Sequence, residues 1–517
     1  MSQKFISTIA GASIFISVIG LLSRGLGFFR EMIFANNFGL GTEFDLYLVG
    51  AVLPITINSI ILYIGQNYFV PGFQKLYSSD KEAAQKYYKH SFITFIGFGI
   101  IISIILFAAS HIVIDLYMHQ AIPESKTAAE IIFRIFLVTI PVSAAISIFS
   151  ALLQAIYEFK YPAVSILFLN FSIIISLILF SDQLGVFIIP IGYVAGTILQ
   201  FVYLMVKSQE RVKLNLLINN RNLNLSKSLL NTSLIIVIII ESLGQLYSLF
   251  DRYFYADISS GGIAALNFAS IIWLLPISIF SLSLATAVFP SITKAITDYS
   301  QEQVEKIFNE NISMNMFIII PIAFMLFFYG DIIIRLLFER GKFVEESTAI
   351  TFGVLKFYSI SLVFFSVYAI FNKIFYSLND IKLLLWMTFV GLLIKLIFNF
   401  LLIGFDQNGL ALSSSISYIY FSVVSYIILT VKLKINKKTL FLKDFLFQLM
   451  NCGLSFLIIR IISTKFFSMS IFYEILVLFL FFLIYLINAY LTEHGAVLIT
   501  RRVLNRLNFN NLLKTKS

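Results

Sequence analysis

Apolar residues run along this 517-residue chain in long blocks separated by short polar stretches. About 20 consecutive helical residues cross a hydrocarbon core about 30 Å thick. Blocks of that length fall near 7–29, 44–70, 91–116, 131–157, 161–181, 185–207, 228–250, 263–289, 313–337, 349–378, 382–404, 408–431, 445–463 and 470–492. The pattern predicts an all-α polytopic membrane protein with about fourteen spans. The first block does not read as a cleaved signal, because Phe28 and Arg30 run into a further polar loop with no small-residue cleavage pattern. Between spans 8 and 9, Asp298 to Glu310 mixes charge with Val304 and Phe308. That mixture predicts a short amphipathic helix on the inner surface.

A repeat emerges when span 2 is laid on span 8. Val52-Leu53-Pro54-Ile55-Thr56-Ile57 recurs as Leu274-Leu275-Pro276-Ile277-Ser278-Ile279, and Phe69-Val70-Pro71 as Val288-Phe289-Pro290. Each proline removes a helical hydrogen bond that neighbouring helices or water must replace. Copies six spans apart are parallel repeats, one of the arrangements found in secondary transporters. The expected organisation is two pseudo-symmetric six-helix lobes, 1–222 and 223–436, followed by 437–517 with spans 13 and 14 and a basic tail.

Composition agrees with membrane residence. The chain is 59% hydrophobic and 12% charged, with a mean hydropathy of +0.92, against about 25% charged residues in soluble domains. A single cysteine, Cys452, excludes an internal disulfide framework, and His90, His111, His119 and His494 lie too far apart for a ligand-spaced pair. No metal or cofactor is expected. Most of the 37 Lys and Arg fall in alternate loops counted from a cytoplasmic N-terminus, which places both termini inside. The net charge of +10 therefore reads as topology and attraction to anionic membrane lipids, with no nucleic-acid partner. No nucleophile and base pair or nucleotide loop is present, so an enzyme is not expected.

Arg24 sits inside the first apolar block. An ionisable side chain at membrane depth costs at least about 2.5 kcal/mol and marks a polar pathway with an anionic partner, unless it is tied to a backbone carbonyl or carboxylate nearby.

Around it, Ser23-Arg24-Gly25-Leu26-Gly27-Phe28-Phe29-Arg30-Glu31 and Phe38-Gly39-Leu40-Gly41-Thr42-Glu43-Phe44-Asp45 resemble the N-terminal signature of the MurJ (MviN) lipid II flippase family, within the multidrug/oligosaccharidyl-lipid/polysaccharide exporter superfamily. The likeness continues through Tyr161-Pro162-Ala163, Leu169-Asn170-Phe171-Ser172, Gly192-Tyr193-Val194-Ala195-Gly196, Leu337-Phe338-Glu339-Arg340-Gly341-Lys342-Phe343, Phe375-Tyr376-Ser377-Leu378-Asn379-Asp380-Ile381-Lys382 and Gly409-Leu410-Ala411-Leu412-Ser413. The resemblance implies a flippase that carries an undecaprenyl-diphosphate-linked glycan, above all lipid II for peptidoglycan synthesis, across the bacterial inner membrane by alternating access. Peptidoglycan-synthesis enzymes are its implied partners. It also implies a V-shaped cavity and a groove for the lipid tail formed by spans 13 and 14. Three other readings stay open: a flippase for an O-antigen or capsule lipid, a cation-coupled antiporter of small solutes, and a membrane scaffold for envelope-synthesis enzymes that transports nothing.

Arginine suits such a substrate, because it gives charge-assisted and often bidentate bonds to phosphate oxygens. Asn58, Ser59 and Ile271 stand near positions where relatives carry basic residues, so diphosphate recognition falls more heavily on Arg24. Lys395 and Asn399, spaced i and i+4, share a helix face and offer a cation and an amide to the same site. In gradient-driven relatives this helix and span 7 supply cation ligands, and Lys395 would be a built-in substitute. Glu241, with Gln245 one turn later, is the coupling candidate. Arg30, Glu31 and Asp45 are expected at an external gate with Arg30 paired to Asp45, and Asp251-Arg252 as an external-edge salt bridge. Arg24 and Arg30, six residues apart, face directions about 120° from each other.

Overall fold

The computed structural model describes residues 9–212, 250–298, 300–435, 440–463 and 471–492, together with Gln245 and Tyr247. Among the described residues every regular element is helical. Among the described residues, ten stretches are long and apolar enough to cross a membrane; Lys160–Val212 and Lys382–Lys432, of 53 and 51 residues, each hold two of the predicted spans. Each predicted span coincides with a described helix except 228–250, which lies almost entirely outside the described residues.

Two elements differ from expectation. Helix α1, Ile9–Phe38, runs past residue 29 and carries Arg30 and Glu31 within it. The polar stretch stays helical because Phe34 and Ala35 are buried, with Phe34 packed on Phe44 and Tyr47 at 5.4 and 5.8 Å. Gly39, at φ 57°, then ends the helix against Lys342, whose carbonyl leaves no room for a Cβ. The expected separate amphipathic helix is also absent as such. Gln301–Phe338 is one element in which Val304, Phe308, Ile312 and Met316 are buried in unbroken helical spacing. With no breaker between residues 310 and 313, nothing stops the helix there; its kink comes later, at Tyr329.

The chain forms two compact units, Met1–Ala264 with Arg340–Val344, and Ala265–Glu339 with Glu345–Ser517. In the first, α2 (Thr42–Ile64) continues through a π-helical turn, Gly65–Phe69, into Val70–Ser79. It packs on Pro123–Leu137 and Thr139–Ala155. Helices Lys160–Leu184 and Ile188–Val212 form a close hairpin, in which a Cβ on Gly196 would meet Leu169 and Ser172, and one on Gly192 would meet Ser176. Small residues one turn apart allow such approach where water offers no hydrophobic drive. In the second unit, Leu440–Ser463 and Ile471–Leu491 dock on Gln301–Phe338. Buried Tyr485 joins them, its hydroxyl lying 2.8 Å from Phe317 O and 2.6 Å from Gln448 Oε1.

The internal repeat extends beyond the paired prolines. Tyr157 (φ 64°) and Asn379 (φ 57°) each end a helix in the left-handed region, with the next residue's N–H bonded five residues back, Glu158 to Leu153 O and Asp380 to Phe375 O. Each acid then reaches the far end of the following hairpin: Glu158 lies 3.4 Å from Arg211, and Asp380 2.5 Å from Lys432. At the opposite ends, Gly185 (φ 53°, ψ −136°) and Asp406 (φ 59°, ψ −144°) make the same turn.

Candidate functional site

A polar cluster of the first unit forms where α1 ends and α2 begins. Asp45, in the first turn of α2, is buried, and its carboxylate accepts the Gly261 N–H at 2.6 Å and the Ala264 N–H at 2.7 Å. It thereby caps the helix that starts at Gly262. A carboxylate there satisfies otherwise unpaired N–H groups and favours the positive end of the helix dipole. Gly261 takes φ 80° beneath the Leu40 carbonyl, a position no side chain can share. Thr42 and Ser260 are hydrogen-bonded at 2.9 Å, and Gln120 donates to Asp257 at 2.6 Å. The Lys342 N–H donates to Asn36 O at 2.9 Å.

Arg30 and Asp45 do not pair. Arg30 points toward Lys160–Leu184, where it binds Glu31 at 2.5 Å and Asn170 Oδ1 at 3.3 Å and lies 5.5 Å over Phe34. Successive helices aim the two charges at different neighbours: Arg30 faces the Asn170 helix, and Asp45 faces the Gly261–Ala264 turn. At the end of span 7, Arg252 donates to the Tyr255 hydroxyl and stacks 4.5 Å from its ring. Burial pushes the Tyr255 phenol up to about 12, with Asp251 and Asp45 adding to the rise and Arg252 opposing it, so the phenol stays protonated.

Arg24 is exposed on α1. Asn58 is buried and donates to Thr139 Oγ1 at 2.7 Å, which itself donates to Phe136 O, while the Asn58 Oδ1 has no hydrogen-bond partner among the described residues. Ser59 beside it is exposed. In the second unit, Lys395 and Asn399 share a face as their spacing requires, and both are buried. Asn399 accepts from the Ser413 hydroxyl, and one turn before Lys395 the Gly391 carbonyl accepts from Ser417 at 2.9 Å. Lys395 thus lies on the stripe packed against Asp406–Lys432, whose buried side is rich in serine. Gln245 is half-buried, and Glu241 lies outside the described residues. Among the described residues no group of three or more His, Cys, Asp or Glu is arranged to hold a metal ion.

Sequence reasoning assigned no role to Asn170, Tyr255, Ser260 or Lys342. Asn170 carried a signal, a primary amide in an otherwise apolar span; the backbone donors of Gly261 and Ala264 carried none.

Residues 34–486 match the family model described as lipid II flippase MurJ. The chain belongs to the lipid II flippase MurJ family. A relative from Borreliella burgdorferi, described as a probable lipid II flippase MurJ, is 25% identical over 435 residues, covering 81% of this chain and 83% of the relative. The structure titled "Lipid II flippase MurJ, inward closed conformation" superposes with a TM-score of 0.80 at 23% identity, covering 94% of this chain and all of that one. An inward-facing multidrug resistance MATE transporter of the MOP superfamily gives a TM-score of 0.65 at 15% identity, covering 81% and 95%. These two likenesses establish the fold. The MurJ match includes Asp45, Asn170, Gly261, Lys342 and Lys395 but not Arg24 and Arg30, which precede residue 34.

Proposed function

We propose that this chain moves lipid II, an undecaprenyl-diphosphate-linked glycan, from the inner to the outer leaflet of the bacterial inner membrane. The MurJ family match over 34–486 carries the reading. The physical task is to bring a charged, hydroxyl-rich headgroup through a layer where unpaired charge costs many kcal/mol. Arg24, exposed on a membrane helix, is the proposed phosphate ligand, able to offer two parallel N–H donors while the prenyl tail stays in lipid. Arg24→Lys keeps the charge but loses the fork, so it should impair transport nearly as much as Arg24→Ala.

The basic loops support a cytoplasmic N-terminus. Asp45 and its backbone donors serve as a gate on the external side, and Arg30 with Glu31 and Asn170 stiffens α1 beside it. Lys395 supplies a fixed positive charge in the second unit, with Glu241 and Gln245 as coupling residues. Anionic lipids at the inner surface and peptidoglycan-synthesis enzymes are the proposed partners.

The deciding experiment is complementation of a bacterium depleted of its essential lipid II flippase, with lipid II measured in the outer leaflet. Rescue with restored outer-leaflet lipid II is expected. Failure there, together with rescue of a capsule or O-antigen transport mutant, would replace lipid II with another lipid-linked saccharide.

A further inference from the structure

One feature of the first unit is used by none of the roles above: the π-helical turn Gly65–Phe69 that continues α2. Such turns are rare and are often found at functional sites. This one is held in place from behind. Ser147 donates to the Ile61 carbonyl at 2.8 Å, and Gly65 lies so close to the Ser147 hydroxyl that no Cβ fits between them. Phe69 is fully buried and stacks on Phe73 and Tyr87 at 5.3 and 5.4 Å. The side of the helix away from these contacts carries Ser59, Tyr63, Gln66 and Asn67, all exposed.

On this side the Ser59 hydroxyl donates to the Ile55 carbonyl at 3.0 Å and keeps its oxygen as an acceptor. Gln66 has no hydrogen-bond partner among the described residues, and Asn67 gives its amide N–H to the Tyr63 carbonyl at 2.9 Å while its Oδ1 remains open. Gln66 and Asn67, consecutive in the π-helical turn, are both exposed. No charged residue occurs from Ile55 to Phe73. Gln66 is about 36 Å along the axis from Thr42 at 1.5 Å per residue, against about 30 Å for the hydrocarbon layer. With the cytoplasmic N-terminus that the basic loops support, the two amides stand at the inner rim of the membrane.

We propose that Ser59, Gln66 and Asn67 form a loading subsite at the inner rim that hydrogen-bonds the uncharged sugar adjoining the diphosphate of the lipid-linked glycan. This rests on the flippase reading. A phosphate calls for cations, of which the stripe has none, while hydroxyl and acetamido groups match amides that both donate and accept. The inner rim is also where the first sugar of an inner-leaflet lipid-linked glycan lies, next to the headgroup phosphates.

The test compares binding of purified full-length protein to lipid II and to undecaprenyl diphosphate, which lacks the sugars, by native mass spectrometry. Gln66→Ala/Asn67→Ala should bind lipid II about tenfold more weakly than the parent, the loss expected for two neutral hydrogen bonds, and bind undecaprenyl diphosphate as before. Gln66→Ala alone removes no hydrogen bond within the described residues, so a smaller selective loss in that variant separates recognition from folding. Equal binding of both lipids by parent and variants, or an equal loss for both lipids, overturns the subsite. A parent that binds neither lipid overturns the flippase reading itself.

Discussion

Asp45 and Ala264, 219 positions apart, are joined by a 2.7 Å hydrogen bond from a backbone N–H to a buried carboxylate. The same carboxylate holds Gly261. Hydrogen bonds to charged acceptors contribute about 1.5–3 kcal/mol each, and a buried donor left unpaired adds a further penalty. Asp45→Ala should abolish complementation and speed amide hydrogen exchange at Gly261 and Ala264. Unchanged exchange at both amides would show that the cap contributes nothing to closure of that turn.

The Arg30–Glu31–Asn170 group is expected to behave as a half-buried ion pair. Breaking such a pair by removing one partner costs about 3–5 kcal/mol in fully buried cases, whereas replacing both with apolar residues of similar size is often neutral. Arg30→Met should therefore lower thermal stability more than Arg30→Met/Glu31→Leu does. If the double variant is stable but transports nothing, Arg30 acts on substrate as well as on the fold.

Lys395 is 2% exposed, at the centre of the stripe that packs on Asp406–Lys432. Its proposed role as a positive charge in the second unit requires that no neutral residue substitute for it. Lys395→Met is expected to fold, retain its thermal transition within a few degrees, and fail in complementation. Full rescue by Lys395→Met would assign the lysine to packing alone.

Asp406 occupies a backbone region (φ 59°, ψ −144°) that is nearly reserved for glycine, and Gly185 occupies it at the matching turn of the other unit. Strain of this kind costs about 1–3 kcal/mol. Asp406→Gly should raise the unfolding temperature despite the added chain entropy of glycine, and Gly185→Asp should lower it. Opposite shifts would mean that the Asp406 side chain more than offsets its strain.

Lys432 and Asp380 are both partly exposed, so their 2.5 Å contact should contribute less than about 1 kcal/mol. Charge reversal at either residue should move the unfolding midpoint only slightly, and the double reversal should restore it. A large loss from Asp380→Lys would show that the connector turn depends on the pair for its shape.

The spans were legible because apolar runs of membrane length are a one-dimensional property. Pro54 and Pro276 exposed the repeat for the same reason. The partners were less legible. The i, i+4 spacing of Lys395 and Asn399 correctly put them on one face, yet nothing in that spacing distinguishes a face toward an open site from one against the serines of Asp406–Lys432. Asn58 looked like a pathway residue until Thr139, 81 positions away, supplied its acceptor. Asp45 was picked out as a gate charge, but its donors are backbone N–H groups, which every residue type except proline carries and which side-chain identity therefore does not flag. Helix ends failed for a related reason: α1 runs through Arg30 because Phe34 and Ala35 find a buried setting, a tertiary effect absent from local hydropathy.

Five residues, Arg340–Val344, belong to the first compact unit although the sequence on both sides of them belongs to the second. Expressed alone, a fragment ending before Arg340 would leave the Asn36 carbonyl without its Lys342 donor and Gly39 without the backbone that makes glycine necessary there. The first folded unit is therefore not one continuous stretch of chain: it takes in a five-residue return from within the sequence of the second.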